Sequence, residues 1–398
     1  MNKLTVEDLG LKGKHVLMRV DFNVPLESGR VVNDKRIRAA LPTIKYITNA
    51  GGKLILMSHL GRPKGKRVPE LSLEPCATVL NALLGRKVGF VDDCIGKTVE
   101  DAVESLDEGD ILLLENLRYY PGETENDQDF AAKLAQFGDV YVNDAFGTAH
   151  RAHASTEGIT HYISQCAAGY LMIKELDYLG GVLANPAKPF VAILGGAKIS
   201  GKIDIISNLL PLVDNIIIGG GMAYTFLKAQ GKEIGKSLLE ADKIDLAKEL
   251  LVQGGQKIIL PVDCMVSDTF DFDARKVGAL REVAADAIPA DEFSLDIGPK
   301  SVETFRSIIS VAKTVVWNGP MGVFEIEDTA KGTFAIAHAL AEATANGATT
   351  VIGGGDSASA IDQAGVSDKV SHVSTGGGAS LEFMEGKVLP GVAALTDK

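Results

Sequence analysis

Residues 190–196 read FVAILGG, and residues 314–319 read TVVWNG. Both are continuous apolar runs ending on glycine, without alternation of polar and apolar positions. A strand that buries one face alternates, whereas a strand covered by helices on both faces does not; these runs therefore predict parallel strands in a layered sheet. The pattern recurs at NIIIGGG (215–221), KIILPV (257–262) and TTVIGGG (349–355) in the second half of the chain. The first half carries HVLMRV (15–20), KLILMS (53–58), KVGFV (87–91), DILLLE (110–115) and DVYVND (139–144). Stretches of helical periodicity lie between them. Alternation of strand and helix on this scale reads as α/β with open parallel sheets, and so many strands suit two sheets better than one.

The seam falls around 165–190. Residues 169–184, GYLMIKELDYLGGVLA, read as a helix, and Asn185-Pro186 and Lys188-Pro189 break the chain before the next strand. At ~150 residues per domain as a soft expectation, a chain of 398 residues divides into two or three domains, each large enough for its own core.

Composition narrows the function. A hydrophobic content of 46% and a charged content of 23% are ordinary for a soluble globular protein. The net charge of −12 argues against a broad nucleic-acid surface, because neutralising phosphates needs a basic face. Any anion site must then be a local concentration of positive charge. Cys76, Cys94, Cys166 and Cys264 lie far apart with no Cys-x-x-Cys pair, which fits reduced thiols in a cytosol better than disulfides or a zinc site. The opening MNKLTVEDLGLKGK has no apolar signal region, and no apolar run approaches the ~20 residues of a membrane span. The expectation is a soluble, cytoplasmic protein with neither nucleic acid nor membrane as a partner.

In open parallel sheets ligands bind beyond the carboxyl ends of the strands, so the segments after the strands carry the information. In the first half these are RVDFNVP (19–25), SHLGRPKGKR (58–67), LENLRYYPGE (114–123) and DAFGTAHRAHAS (144–155). Arg36, Arg62, Arg118 and Arg151 lie after different strands, accompanied by His59 and His150. Guanidinium groups bind phosphate or carboxylate oxygens bidentately, so convergence of these groups would make a pocket for a small, multiply charged anion. Taken singly, each arginine could equally be a solvated surface residue. His150-x-x-His153 has little to recommend it as a metal site, since Arg151 lies between the histidines and no HExxH is present. His153 reads instead as a hydrogen-bonded structural histidine.

The second half offers bare backbone: LGGAKISGK (194–202), IIGGGMA (217–223), NGPMGVFE (318–325) and GGGDSAS (353–359). Gly196-x4-Gly201-Lys202 has P-loop spacing, but Ile203 stands where Ser or Thr should hold Mg²⁺. Gly353-Gly354-Gly355-Asp356-Ser357 leads into the helical SASAIDQA. That turn can present amides to phosphate, while Asp356 either ligates Mg²⁺ or merely caps the helix. A second helix start follows at Thr375–Ser380.

Taken together these motifs, with LGGAKISGKI (194–203), IIGGGMAYTFL (217–227), DIGPKS (296–301) and STGGGASLE (374–382), run in order along the whole chain. The chain resembles the phosphoglycerate kinase family from end to end. The resemblance implies a bilobed kinase of two doubly wound, Rossmann-like parallel-sheet domains joined by a hinge. The domains would be 1–170, binding 3-phosphoglycerate or 1,3-bisphosphoglycerate, and 171–379, binding Mg²⁺ with ADP or ATP. The hinge helix would be 169–184, and a tail of 380–398 would return to the first domain. Carried over by motif, Asp21, Asn23, Arg36, His59, Arg62, Arg118 and Arg151 match the substrate set. Lys202, Gly219, Gly220, Asn318, Glu325, Gly354, Gly355, Asp356 and Ser357 match the nucleotide set, with Asp356 on the metal. Arg36, Lys198, Lys202 and the amides of Gly376 and Gly377 are the expected catalytic groups, and a monomer is implied. A NAD-dependent oxidoreductase would need a G-x-G-x-x-G fingerprint, which does not follow the first strand. A non-enzymatic nucleotide-binding protein would have no use for the arginine set. Both stand as alternatives to that resemblance.

Overall fold

Every one of the apolar runs becomes part of a parallel strand, and they divide between two sheets. The computed structural model describes residues 2–398 as two units, one running to Asp177 and taking back Val388–Lys398, the other spanning Tyr178–Lys387.

The sheet of the first unit runs in the order Gly89–Val91, Ile111–Leu114, Lys53–Met57, His15–Arg19, Val140–Asn143, Cys166–Ala168, with all neighbours parallel. The sheet of the second unit runs Ile258–Ile259, Asn215–Ile218, Phe190–Leu194, Thr314–Asn318, Thr349–Gly353, His372–Val373, again all parallel. Phe190–Leu194 and Thr314–Asn318 are buried at all five positions, which is why neither shows a polar alternation. Strands Cys166–Ala168 and His372–Val373 were not expected. Three and two residues long, they are too short to show a periodicity. Also unanticipated is a small antiparallel sheet, ordered Arg281–Ala284, Asp263–Ser267, Phe293–Ile297.

In each large sheet the chain completes one side and then crosses to the other, although in the first sheet Ile111–Leu114 inserts between Lys53–Met57 and the earlier edge strand Gly89–Val91. The reversal lies between His15–Arg19 and Val140–Asn143 in the first sheet, and between Phe190–Leu194 and Thr314–Asn318 in the second. A reversal of this kind leaves a crevice at the carboxyl ends of the two flanking strands.

Helices cover both sheets by amphipathic packing. Lys35–Asn49 turns Ile37, Ala40, Ile44 and Ile47 inward at helical spacing, into a core with Val16, Met18, Leu54 and Leu56. In the second unit Phe305, Ile309, Ile336 and Leu340 from two helices pack with Trp317 and Ile352. The helix expected at 169–184 spans Tyr170–Ala184. Its start is fixed by partners for its free amides: Leu171 and Met172 donate to Asp144 Oδ1 at 2.9 and 3.2 Å, and Tyr170 donates to Thr43 Oγ1 at 2.9 Å. The final residues pack with the first unit, Leu4 donating to Thr396 O at 2.8 Å and Gly391 to Ala149 O at 2.9 Å. No helix among the described residues is long and apolar enough to cross a membrane.

Candidate active site

The loop leaving strand His15–Arg19 carries Asp21 and Asn23, and the first turn of helix Lys35–Asn49 brings Arg36 to them. Arg36 Nη1 donates to Asn23 O at 2.8 Å and lies 3.3 Å from Asp21 Oδ1. Asn23 Oδ1 accepts from the amide of Gly61 at 2.9 Å, tying this loop to the one after Lys53–Met57. Arg118 reaches the same point, Nη1 donating to Gly61 O at 2.8 Å. Buried Asn116 fixes the two segments together: Nδ2 donates to Leu60 O and Leu71 O, and Oδ1 accepts from the amides of Leu60 and Arg118. Arg62 and Arg151 are exposed. Arg151 lies near enough that its charge lowers the proton affinity of both Arg118 and His153.

Beneath this face is a buried polar layer. Arg19 and Glu123 are fully buried. Arg19 Nε donates to Ser155 Oγ at 2.7 Å, and its Nη2 lies 3.1 Å from His59 Nδ1. Burial, reinforced by Arg19, Arg118 and Arg36, holds His59 well below the usual imidazole range. His153 is pushed down to about 3, by burial first and then by Arg19, Arg118 and Arg151. Both rings are therefore neutral at pH 7 and add no positive charge to that of the arginines. Burial also brings Arg118 down to about 10, leaving it charged at neutral pH. His153 is buried as expected of a structural residue, but its Nδ1 has no hydrogen-bond partner among the described residues and stands 3.7 Å from Glu123 Oε1.

The second unit has a cavity of about 260 Å³ at its strand reversal, lined by Gly195–Lys198, Lys202, Asn318, Gly319, Gly354–Ser357, Gly377 and Leu381. Three strand ends supply its walls, those of Phe190–Leu194, Thr314–Asn318 and Thr349–Gly353. Close backbone contact makes this possible. At Gly319, with φ of +102°, a Cβ would lie 2.2 Å from Gly195 O; at Gly220, with φ of +65°, it would lie 2.6 Å from Gly196 N. Gly219 and Gly220 thus back the cavity rather than line it.

Two helices, Gly355–Gln363 and Gly377–Met384, begin at the cavity, with Gly354 and Gly376 as their caps. The cap position is Gly354 and not Asp356, which stands exposed in the first turn. Helix starts present unpaired amides and a partial positive charge, suited to phosphate oxygens. The Gly376 amide is already engaged by Ser374 Oγ at 3.2 Å. Ser357 Oγ accepts from the Gly319 amide at 2.6 Å. Lys202 Nζ donates to Asn318 Oδ1. Burial pushes Lys202 down to about 8 against the opposing pull of Asp356 and Glu385. Asn318 is buried, and its Nδ2 has no hydrogen-bond partner among the described residues. A Cβ at Gly354 would sit 3.1 Å from that nitrogen, so a side chain there would crowd the buried donor. Lys198 is exposed at the rim. Glu325 is exposed and not among the lining residues.

Several supporting residues carried no site expectation. Arg19, Asn116 and Glu123 lie within the quoted motifs, but nothing in spacing alone marks them as buried partners. Thr333 holds the 319–325 turn, and Asp296 holds the start of helix Lys331–Ala345. Thr333 Oγ1 accepts from the amides of Met321 and Gly322 at 3.0 and 3.2 Å, and Asp296 Oδ2 accepts from Gly332 at 2.6 Å.

Comparison with known proteins follows this geometry. A family model described as Phosphoglycerate kinase matches residues 6–387. The phosphoglycerate kinase of Koribacter versatilis (strain Ellin345) is 58% identical over 410 residues, covering 100% of both chains. That of Chloroherpeton thalassium (strain ATCC 35110 / GB-78) is 58% identical over 401 residues at the same coverage. Among solved structures, phosphoglycerate kinase from Coxiella burnetii superposes with a TM-score of 0.89 at 41% identity over 98% of each chain. The enzyme from Pyrococcus horikoshii OT3 gives 0.84 at 32% identity, also over 98% of each.

Proposed function

The chain belongs to the phosphoglycerate kinase family, and from that premise we propose how its residues divide the work. The reaction is reversible phosphoryl transfer between 1,3-bisphosphoglycerate and ADP, giving 3-phosphoglycerate and ATP, with a carboxyl group as acceptor in the reverse direction. Neither a hydride-transfer enzyme nor a non-enzymatic nucleotide binder is favoured.

One observation carries the division of labour: guanidinium-bearing strand ends and an amide-lined cavity fall in different units. In the first unit Arg62, Arg118 and Arg151 grip the non-transferred phosphate, while Asp21 and Asn23 orient the hydroxyl and carboxyl end and His59 packs beside them as a neutral ring. In the second unit the amides at Gly354–Ser357 and Gly377, with Lys202 and Asn318, cradle the nucleotide phosphates. Gly219, Gly220 and Glu325 complete the nucleotide set.

Attacking oxygens in both directions are already ionised, so no general base is required. Rate acceleration comes from in-line positioning and from neutralising charge on the phosphoryl group in transit. Arg36 from the first unit, and Lys198, Lys202 and the Gly377 amide from the second, supply that charge; of the two amides expected here, that of Gly376 is held by Ser374 Oγ. Mg²⁺ fits the donor set, because Asp356 is the only carboxylate lining the cavity and Mg²⁺ is commonly held by one carboxylate together with substrate phosphates and water. When bound it neutralises phosphate charge.

Transfer requires reacting atoms ~3 Å apart, so groups held by two units must be brought together by a hinge motion, with helix Tyr170–Ala184 as its natural site. Closure also excludes the water that would otherwise hydrolyse ATP. The protein acts as a cytosolic monomer in this reading.

The decisive assay couples ATP consumption to added 3-phosphoglycerate. Turnover should require 3-phosphoglycerate and Mg²⁺ together. ATP consumption that ignores 3-phosphoglycerate would defeat the assignment of the first unit's strand ends.

A further inference from the structure

Glu123 is a fully buried carboxylate that the reaction does not need as a base or ligand. Burying an ionised carboxylate is costly unless hydrogen bonds and opposite charge compensate it. Here the hydrogen bonds to the carboxylate come from one short turn, and opposite charge comes from Arg19 on strand His15–Arg19. The Ser155 amide donates to Glu123 Oε2 at 3.0 Å, and the Ser155 hydroxyl donates to Oε1 at 2.7 Å. The Ala154 amide donates to the backbone carbonyl of Glu123 at 3.0 Å. Arg19 Nη2 and His153 Nδ1 each stand 3.7 Å from Oε1. The turn held in this way is the one that carries Arg151.

Glu123 itself lies in the short helix Pro121–Thr124, directly after the turn Leu117–Tyr119 that presents Arg118. One residue therefore links the segments bearing two phosphate-gripping arginines that are far apart in sequence. Bidentate recognition depends on the relative placement of guanidinium planes, and a shift of about 1 Å can cost orders of magnitude.

We infer that Glu123 is a positioning residue for the glycerate substrate, setting the Arg151 turn against the Arg118 turn through Ser155. This rests on the reading of the first unit's strand ends as the substrate site. It makes a prediction opposite in sign to simple electrostatics. Removing a negative charge beneath a cationic face should tighten anion binding if charge alone matters. If Glu123 acts by placement, the same change loosens it.

The test is calorimetric binding of 3-phosphoglycerate and, separately, of Mg-ADP to the parent protein, Glu123→Gln and Ser155→Ala. The expected result for Glu123→Gln is a Kd for 3-phosphoglycerate raised about tenfold or more, with the Kd for Mg-ADP unchanged within error. Ser155→Ala, which keeps the carboxylate and its charge, should give a smaller rise in the same direction. Unchanged or tighter 3-phosphoglycerate binding by Glu123→Gln overturns the inference, as does equal weakening of both ligands alongside a lowered Tm. If Glu123→Gln does not fold, Ser155→Ala decides: an unchanged affinity overturns the inference. Parent protein that binds Mg-ADP but not 3-phosphoglycerate removes the underlying reading and the inference with it.

Discussion

Replacing Arg36 with alanine is expected to lower kcat by roughly 10³, with Mg-nucleotide affinity nearly unchanged. The side chain is about one-third exposed, at 35%, so its loss should cost little stability. Its Nη1 is tied to Asn23 O and Asp21 Oδ1. A guanidinium has five donors, so most of its capacity remains for a ligand while its position is already set. That combination, held in place yet not saturated, suits a group that meets charge developing in the transition state. Lysine at this position should recover little, because a point charge cannot reproduce the planar fork. Steady-state kinetics with both substrates varied, together with nucleotide binding by calorimetry, make the comparison. Near-normal turnover would remove Arg36 from the mechanism.

Lys202→Ala should lower kcat/KM for the nucleotide by about 10², and the parent protein should show a pH signature that the variant lacks. Burial brings Lys202 from its ordinary 10.5 down to about 8. Bound phosphates favour the ammonium form and raise that value again, so nucleotide binding at pH 8–9 takes up a proton. Affinity must then fall as pH rises through about 8. The stability linkage has the opposite slope. Between about 8 and 10.5 the unfolded chain holds more protons at this position than the fold does, so the contribution of Lys202 to stability increases with pH across that window. Calorimetry in buffers of different ionisation enthalpy reads the proton uptake directly. An uptake of zero at pH 8.5 in the parent, or an equal uptake in Lys202→Ala, would show that Lys202 is not the linked group.

Both cations sit where helix electrostatics disfavours them. Arg36 lies in the first turn of Lys35–Asn49, which has no acidic residue there, and Lys202 occupies the cap of Ile203–Leu209. Helix starts ordinarily favour Asp, Glu, Ser or Thr. A local rule broken in this way is expected at functional positions.

The large sheets were legible because parallel strands covered on both faces leave an unmistakable run, as in FVAIL and TVVWN. The glycine-rich segments after Phe190–Leu194, Thr314–Asn318 and Thr349–Gly353 were expected at strand ends, and residues of all three line the cavity. What stayed hidden were contacts between distant segments. Glu123 lies in an ordinary-looking PGE, and only folding brings it beneath Ser155 and Arg19. The charge state of His59 was equally unreadable, since it depends on burial and on arginines drawn from three other segments. The antiparallel sheet containing Asp263–Ser267 escaped in part because one of its two outer strands, Arg281–Ala284, is largely exposed and carries no apolar run.

In the proposed mechanism two reactants are held by different units and meet only when those units approach. Small-angle X-ray scattering on the protein with 3-phosphoglycerate alone, with a non-hydrolysable Mg-ATP analogue alone, and with both tests this most directly. The prediction is a radius of gyration smaller with both ligands than with either one. The same radius in all three states, under conditions where calorimetry shows both ligands bound, would contradict it.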